Sequence, residues 1–370
     1  MKRHALLAAL LSLPLSLAAA GSVAGCLDSA RLTGVNLAGA EFGSSQIPGK
    51  VFHDYVYPSE AELEYIANQG ANMIRLPFLW ERTQPEANSA LDSAQLAHLR
   101  LTLKRAETHG LCVLLDLHNY AKYFGDPLTA TTPENIALHQ AFIHFWLALA
   151  KEFPNADSVA FGLMNEPAFI PKATWASIAQ QTVLALRKAN VSNGIWVAGG
   201  GWSGLHDWFS GGEMSNAHYF KQLHDPLKRT VIEVHQYTDS NYSGTHSSST
   251  GAGCRSADEF NSQFERIHTW SEQYQQQLFL GEFGVPATPE CLQTLTRFLE
   301  LMRAEKWRGW SYWAAGSWWG NYPLALSGAQ QTESLQWPIL KRFFYRPENQ
   351  AGSKEKSSSA SPPLPPEAIM

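Results

Sequence analysis

The sequence predicts a single (β/α)8 barrel. Three observations lead there. Eight short apolar, largely β-branched or aromatic runs recur along the chain, at 32–38, 73–78, 111–117, 159–164, 195–198, 231–235, 278–281 and 310–313. Longer segments of helical period lie between most of them. The chain has 370 residues, and the stretch 27–346 suits one large α/β barrel but is too short for three ordinary domains. Strand–helix alternation gives a parallel sheet, because parallel neighbours need a crossover that a helix supplies. Eight such units close on themselves. No repeat of solenoid type accompanies them.

The elements follow in order. The first run is followed by a helix over 59–69, where Ser59 with Glu62 three residues on reads as a capping box. The second run leads to a helix over 92–109. The third leads to one over 134–153, with Thr132 and Asn135 a weaker version of the same cap. The fourth run precedes a helix over 174–189. After the fifth run the period breaks: 199–220 is rich in Gly, Ser and aromatics and reads as an extended loop over the barrel mouth. The sixth run is followed by a polar loop, 237–254, and a helix over 258–276. The seventh leads to a helix over 289–306. From residue 347 to 370 the chain is rich in Lys, Glu, Ser and Pro and lacks the apolar residues to build a core, so a disordered tail is expected.

The N-terminus, 1–25, reads as an export signal. Lys2 and Arg3 supply the positive end, and Ala5 to Ala20 an apolar stretch broken by Pro14, too short for a spanning helix. Two processing readings compete. Val23-Ala-Gly-Cys26 resembles a bacterial lipoprotein box, with Cys26 lipidated; Ala18-Ala-Ala20 suits an ordinary signal peptidase. The lipobox is favoured, because small residues directly precede a Cys. The expected location is therefore secreted, periplasmic or held at the outer membrane. Export permits disulfides. With Cys26 lipidated or removed and Cys112 buried in a strand as a free thiol, Cys254 and Cys291 are left to pair; two unpaired thiols are the alternative. The net charge of −5, without a basic stripe, argues against nucleic acid as a partner. A monomer is expected. Thirteen tryptophans exceed what a core needs, and aromatic faces suit the apolar faces of sugar rings.

In such a barrel the C-terminal strand ends face the active site. Read in order they carry Asn36, Arg75, His118, Asn165 with Glu166, Trp202, His235 with Tyr237, Glu282 and Trp313. A buried polar group costs on the order of 1–3 kcal/mol unless paired. A ring of them persists only where its members satisfy one another or a ligand. Glu166 and Glu282 stand out. Two carboxylates at parallel strand ends are the minimum needed to hydrolyse a glycosidic bond, one as acid/base and one as nucleophile.

Arg75 in Ile-Arg-Leu-Pro, His118 in Asp-Leu-His-Asn-Tyr, Asn165-Glu166-Pro167, His235-Gln-Tyr237, Gly281-Glu282-Phe-Gly284 and Trp313 in Tyr-Trp-Ala-Ala-Gly together resemble family 5 glycoside hydrolases. The resemblance runs from about Leu32 to about Phe344. Gly34-Val-Asn-Leu-Ala-Gly39, Leu117-His-Asn-Tyr-Ala121 and Asp239-Ser-Asn-Tyr-Ser-Gly-Thr-His246 point to its subgroup of fungal and bacterial cellulases. It implies a retaining endo-β-1,4-glucanase without cofactor or metal, acting on a polysaccharide. It also implies a bridge at positions like Cys254 and Cys291. Chemistry and resemblance together imply the roles. Glu282 is the nucleophile, held ionised by Arg75 and Tyr237. Glu166 is the acid/base, oriented by His235. Asn165 and His118 hold hydroxyls of one sugar, and Trp313 is its floor. The two carboxyl groups are expected ~5–5.5 Å apart. Trp80, Tyr123, Trp202, Trp208, Trp318 and Trp319 are candidates for outer subsites.

Other classes fit less well. A metal-dependent barrel hydrolase could use His118, His235, Asp116 and Glu282 as ligands, but its usual His-x-His is missing from Gly34-Val-Asn-Leu-Ala. A non-catalytic sugar-binding barrel would be expected to lack a carboxylate, and both are present. Gly199-Gly-Gly201 as a phosphate site is weak beside Trp202. Mannan, xyloglucan, mixed-linkage glucan and β-1,3-glucan remain alternatives to β-1,4-glucan, because fold does not decide substrate.

Overall fold

The computed structural model of the chain describes residues 25–26, 29–131, 136–154, 156–246, 253–303, 307–326 and 333–346. Eight parallel strands close into one barrel: β1 Leu32–Leu37, β2 Met73–Phe78, β3 Cys112–Leu117, β4 Val159–Gly162, β5 Ile195–Ala198, β6 Thr230–His235, β7 Gln277–Glu282 and β8 Trp307–Ala315. Each pairs with its sequence neighbours, and β1 with β8 completes the ring. All eight expected runs are strands. The largest difference is β8, which starts three residues before the predicted run: Arg308 and Gly309 interrupt the apolar pattern, and the ladder to β7 shifts register between Trp307 and Gly309 but continues.

The outer layer is α1 Glu60–Gln69, α2 Ser93–Thr108, α3 Leu138–Glu152, α4 Lys172–Lys188, α5 Asn216–Phe220, α6 Asn261–Tyr274 and α7 Pro289–Leu301. Ser59 and Glu62 make the expected capping box on α1. The Thr132–Asn135 cap, the leader up to residue 24 and the tail from 347 lie outside the described residues. The expected loop 199–220 holds two single 3-10 turns and the short α5. No helix of the described residues is long and apolar enough to cross a membrane.

Two apolar layers hold the strands. Outside the barrel, Phe142, Phe145, Trp146 and Trp175 pack between helices and sheet. Trp146 and Trp175 donate their indole N–H groups to Leu163 O (3.1 Å) and Ala198 O (2.7 Å), fixing α3 and α4 to the ends of β4 and β5. Inside, Leu32, Met73, Cys112, Leu114, Ala160, Trp196, Val231 and Phe279 come from seven strands and form one cluster. These inward residues fill the N-terminal end of the barrel, as packed barrel interiors require. The C-terminal end is left to polar side chains.

Cys26 joins that interior cluster, fully buried, and corrects two expectations. It is bonded to Cys112, with an S–S distance of 1.97 Å and Cα atoms 5.2 Å apart. A disulfide sulfur cannot carry a thioether-linked lipid, and Cys112 is not a free thiol. The partner was hidden because it lies 86 residues earlier, before the first strand. Only barrel closure brings that segment under β3. Cys254 and Cys291 pair as expected, at 2.07 Å. Removing the Cys26–Cys112 bridge, as in Cys26→Ser, should lower stability by about 2–4 kcal/mol in guanidinium unfolding. An unaltered midpoint, with a titratable Cys112 in the unmutated protein, would contradict the bridge.

Candidate active site

The C-terminal end of the barrel is organised around Arg75, which projects from β2 and is fully buried. Register places Asn36 of β1 beside it, and pairs His235 of β6 with Glu282 of β7. The Arg75 guanidinium meets three carboxylates, each at 2.9 Å: Asp116 from β3, Glu233 from β6 and Glu282 from β7. It also donates to Asn36 Oδ1 (2.9 Å) and Asn165 Oδ1 (2.8 Å). Asn36 donates in turn to Gly281 O (2.9 Å). A planar fork with five N–H groups suits such a hub, where a lysine could not span it.

Glu282 is buried and Glu166 is partly buried, and the two are pushed in opposite directions. Burial raises the Glu282 carboxyl, yet the charges of His235 and Arg75 outweigh it. Tyr237, which donates its hydroxyl to Oε2 at 2.8 Å, adds to them, and the group is held below its usual value. Burial also raises Glu166, the charge of Glu282 adds to it, and the His235 hydrogen bond offsets only part, so Glu166 lies above its usual value. One oxygen from each carboxylate and a His235 ring nitrogen lie within 4.8 Å of one another. Glu166 holds a left-handed backbone, φ 43°, a conformation a non-glycine residue keeps only where its surroundings impose it.

His235 bridges the acids. Nδ1 faces Glu166 Oε1 at 2.9 Å and Nε2 faces Glu233 Oε1 at 3.1 Å. Burial lowers its pKa, but Glu282, Glu166 and Glu233 together push it up to about 10. His118 is set differently. Nδ1 faces Asp116 at 2.8 Å; Nε2 faces the Asn165 amide at 3.1 Å and the Tyr120 hydroxyl at 3.2 Å. Burial opposes charge on His118 and Asp116 favours it, the balance lying above the usual value. Arg75 occupies Asn165 Oδ1, so the amide turns its N–H toward His118. The network therefore accommodates the Nδ1–H neutral tautomer. Trp313 stacks on this imidazole with ring centres 5.6 Å apart, and Trp319 meets Trp313 edge-on at 5.5 Å.

Arg75, His118, Asn165, Glu166, His235, Tyr237, Glu282 and Trp313 thus meet in one network. Trp202, 50% exposed, stands at the rim against Tyr120, and Trp318 is exposed. Three expected subsite aromatics belong to the core instead. Trp80 is fully buried against Tyr123, Phe142 and Phe145 and donates to Gln84 Oε1. Tyr123 donates to Gln84 O, and Trp208 packs on Phe220 and Trp270. An aromatic just past a strand end can turn into the cleft or under the neighbouring helix, and the local sequence is the same for both. Glu233 was not anticipated, and Asp116 was considered only as a metal ligand. A signal existed: each lies on a strand two residues before a site histidine, and extended backbone puts residues two apart on the same face. Glu166, His235 and Glu282 are close enough to ligate an ion, and each is already engaged by its neighbours: His235 by Glu166 and Glu233, and Glu282 by Arg75 and Tyr237.

The profile of the cellulases, glycosyl hydrolase family 5, matches residues 35–317. The chain belongs to glycosyl hydrolase family 5. This glycoside hydrolase is 39% identical to the crystal structure of the endo-β-1,4-glucanase Xac0029 from Xanthomonas axonopodis pv. citri. The match has a TM-score of 0.79 and covers 85% of this chain and 98% of that one. XacCel5A in complex with cellopentaose gives the same identity and TM-score, over 85% and 99%. Endo-β-1,4-glucanase B of Aspergillus niger is 30% identical over 296 residues, 79% of this chain and 84% of that protein.

The charge on His235 is open to direct measurement in this glycoside hydrolase. Its folded pKa lies above an unfolded value of about 6.5. Its contribution to stability is therefore complete below that pH and is lost as pH rises toward 10. In 15N-histidine NMR, His235 should keep imidazolium shifts through neutral pH, and Glu233→Gln should move its midpoint down. A midpoint near the unfolded value would show that the three carboxylates do not act on it.

Proposed function

We propose that this family 5 glycoside hydrolase is an exported endo-β-1,4-glucanase that acts by double displacement, with Glu282 as nucleophile and Glu166 as acid/base. The observation that carries the reading is the opposed tuning of two carboxylates whose nearest oxygens are within 4.8 Å. Two titratable groups pushed apart by their surroundings divide into acid and base. That closeness fits the ~5–5.5 Å carboxyl spacing of retaining enzymes better than the ~6.5–9.5 Å that leaves room for a water in inverting ones.

The steps follow from the contacts. Glu282, kept anionic by His235, Arg75 and Tyr237, attacks the anomeric carbon while Glu166 gives its proton to the leaving oxygen. Once Glu282 is esterified its charge is gone, and one influence that raised Glu166 goes with it. Glu166 then accepts a proton from the water that cleaves the ester. Asn165, oriented by Arg75 and His118, is placed for a hydroxyl of the reacting sugar, and Trp313 for its apolar face. A β-1,4-glucan as substrate is supported by relatives described as endo-β-1,4-glucanases and by the cellopentaose complex of XacCel5A. Export is supported by the character of residues 1–24 and by two disulfides, which persist in oxidising compartments.

Substrate and cleavage mode are tested with carboxymethyl-cellulose, barley β-glucan, mannan and laminarin. Viscosity of carboxymethyl-cellulose should fall sharply while few reducing ends appear, with activity intact in EDTA. Preference for mannan, or loss of activity in chelator, would contradict the reading.

The carboxylate roles are tested with aryl cellobiosides and azide. Glu282→Ala should abolish turnover of every natural substrate. Glu166→Ala should still form the glycosyl-enzyme from a dinitrophenyl leaving group, stall for want of a base, and release a β-linked azide product when azide is added. If azide rescues Glu282→Ala, the product should be α-linked. The reverse pattern of azide anomers would exchange the two assignments.

A further inference from the structure

A hollow of about 580 Å³ lies outside the cleft, on the flank of the catalytic face. It is bounded by the loop after β1, the start of α1, the outer side of α2 and Ser317 in the loop after β8. Its size is that of a site for a small organic ligand. Phe52 is 66% exposed and Leu101 44% exposed, so both offer apolar surface to solvent. Phe52 holds φ 63°, uncommon for a bulky residue, with its N–H bonded to Tyr55 O at 2.7 Å. Its ring meets His98 edge-on at 6.4 Å, and His98 is stacked on Tyr57 at 5.0 Å. The backbone that carries the phenyl ring is thus tied down, while most of the ring faces solvent. Around it stand exposed polar groups, among them Glu60 and Ser317.

This mixture fits a neutral, hydroxyl-rich polymer. Sugar rings have apolar faces for Phe52 and Leu101, and hydroxyls that can bond to the Arg105–Glu60 ion pair (3.1 Å), which His109 also joins, or exchange hydrogen bonds with His98 and Ser317. The hollow opens on the same end of the barrel as the cleft, through the loop after β8. Ser317 lines it, Trp318 is the next residue and is exposed, and Trp319 follows, edge-on to Trp313 of the candidate active site. We propose that the hollow is a second glucan-binding site, which holds the distal part of a long β-glucan chain whose middle occupies the cleft. This rests on the β-glucan reading above.

Phe52→Ala tests it, with Leu101→Asn as a second variant on the exposed face of α2. Both are compared with the unmutated enzyme on an aryl cellobioside, which fills only the cleft, and on barley β-glucan. Turnover of the cellobioside should be unchanged. The half-saturating concentration of the polymer should rise roughly fivefold with kcat nearly constant, and retardation in gels containing hydroxyethyl-cellulose should weaken. Equal effects on both substrates, or none on the polymer, would overturn the site while leaving the substrate reading intact. An unmutated enzyme that cleaves mannan and ignores β-glucan defeats that reading and this inference with it. Concentration-dependent self-association that disappears in Phe52→Ala would assign the hollow to a second copy of the chain and overturn the proposal.

Discussion

One buried guanidinium organises the candidate site. Arg75 emerges from β2 into a space that the apolar interior leaves to polar groups, and there it is met by Asp116, Glu233 and Glu282. Taking any of these charges out of water alone would cost several kcal/mol. None is alone. Arg75 gives the acids a shared counter-charge, and the remaining negative potential draws His235 to its charged form. With Asn36 and Asn165 also bonded to it, the guanidinium orients residues from β1, β3, β6 and β7 and from the loop after β4. No single strand could impose that arrangement.

The same hub explains how two neighbouring carboxylates can behave differently in one pocket. Glu282 is reached by Arg75 and Tyr237 directly, so the charged form is supported despite burial. Glu166 lies one step further out, with His235 between it and the rest, and burial prevails. The difference is of position relative to the cation, not of residue type. The strand framework sets it, since register pairs His235 with Glu282, while Glu166 lies four residues past the end of β4 on strained backbone.

Much of this was legible in the chain. The eight strands could be read from local apolar runs, because a buried parallel strand shows itself in a few consecutive residues. The Ser59–Glu62 cap is likewise a matter of four residues. Glu166 and Glu282 could be placed at strand ends for the same reason, and the spacing of Arg75, His118 and His235 followed. Glu233 and Asp116 could have been found by the alternation of side chains along a strand, which pairs each with a histidine two residues on.

What the sequence determined alone was therefore the order of elements and the residue types delivered to the C-terminal rim, since both depend on short-range periodicity. Tertiary structure decided what meets what across the ring. It placed Cys26 under β3 against Cys112, although lipid at Cys26 was the favoured reading. It turned Trp80, Tyr123 and Trp208 into the core while leaving Trp202 and Trp318 in solvent. It gave Arg75 three acids from three strands. Each of these depends on barrel closure and on the side to which a chain turns after its strand, and neither is encoded in the few residues on either side.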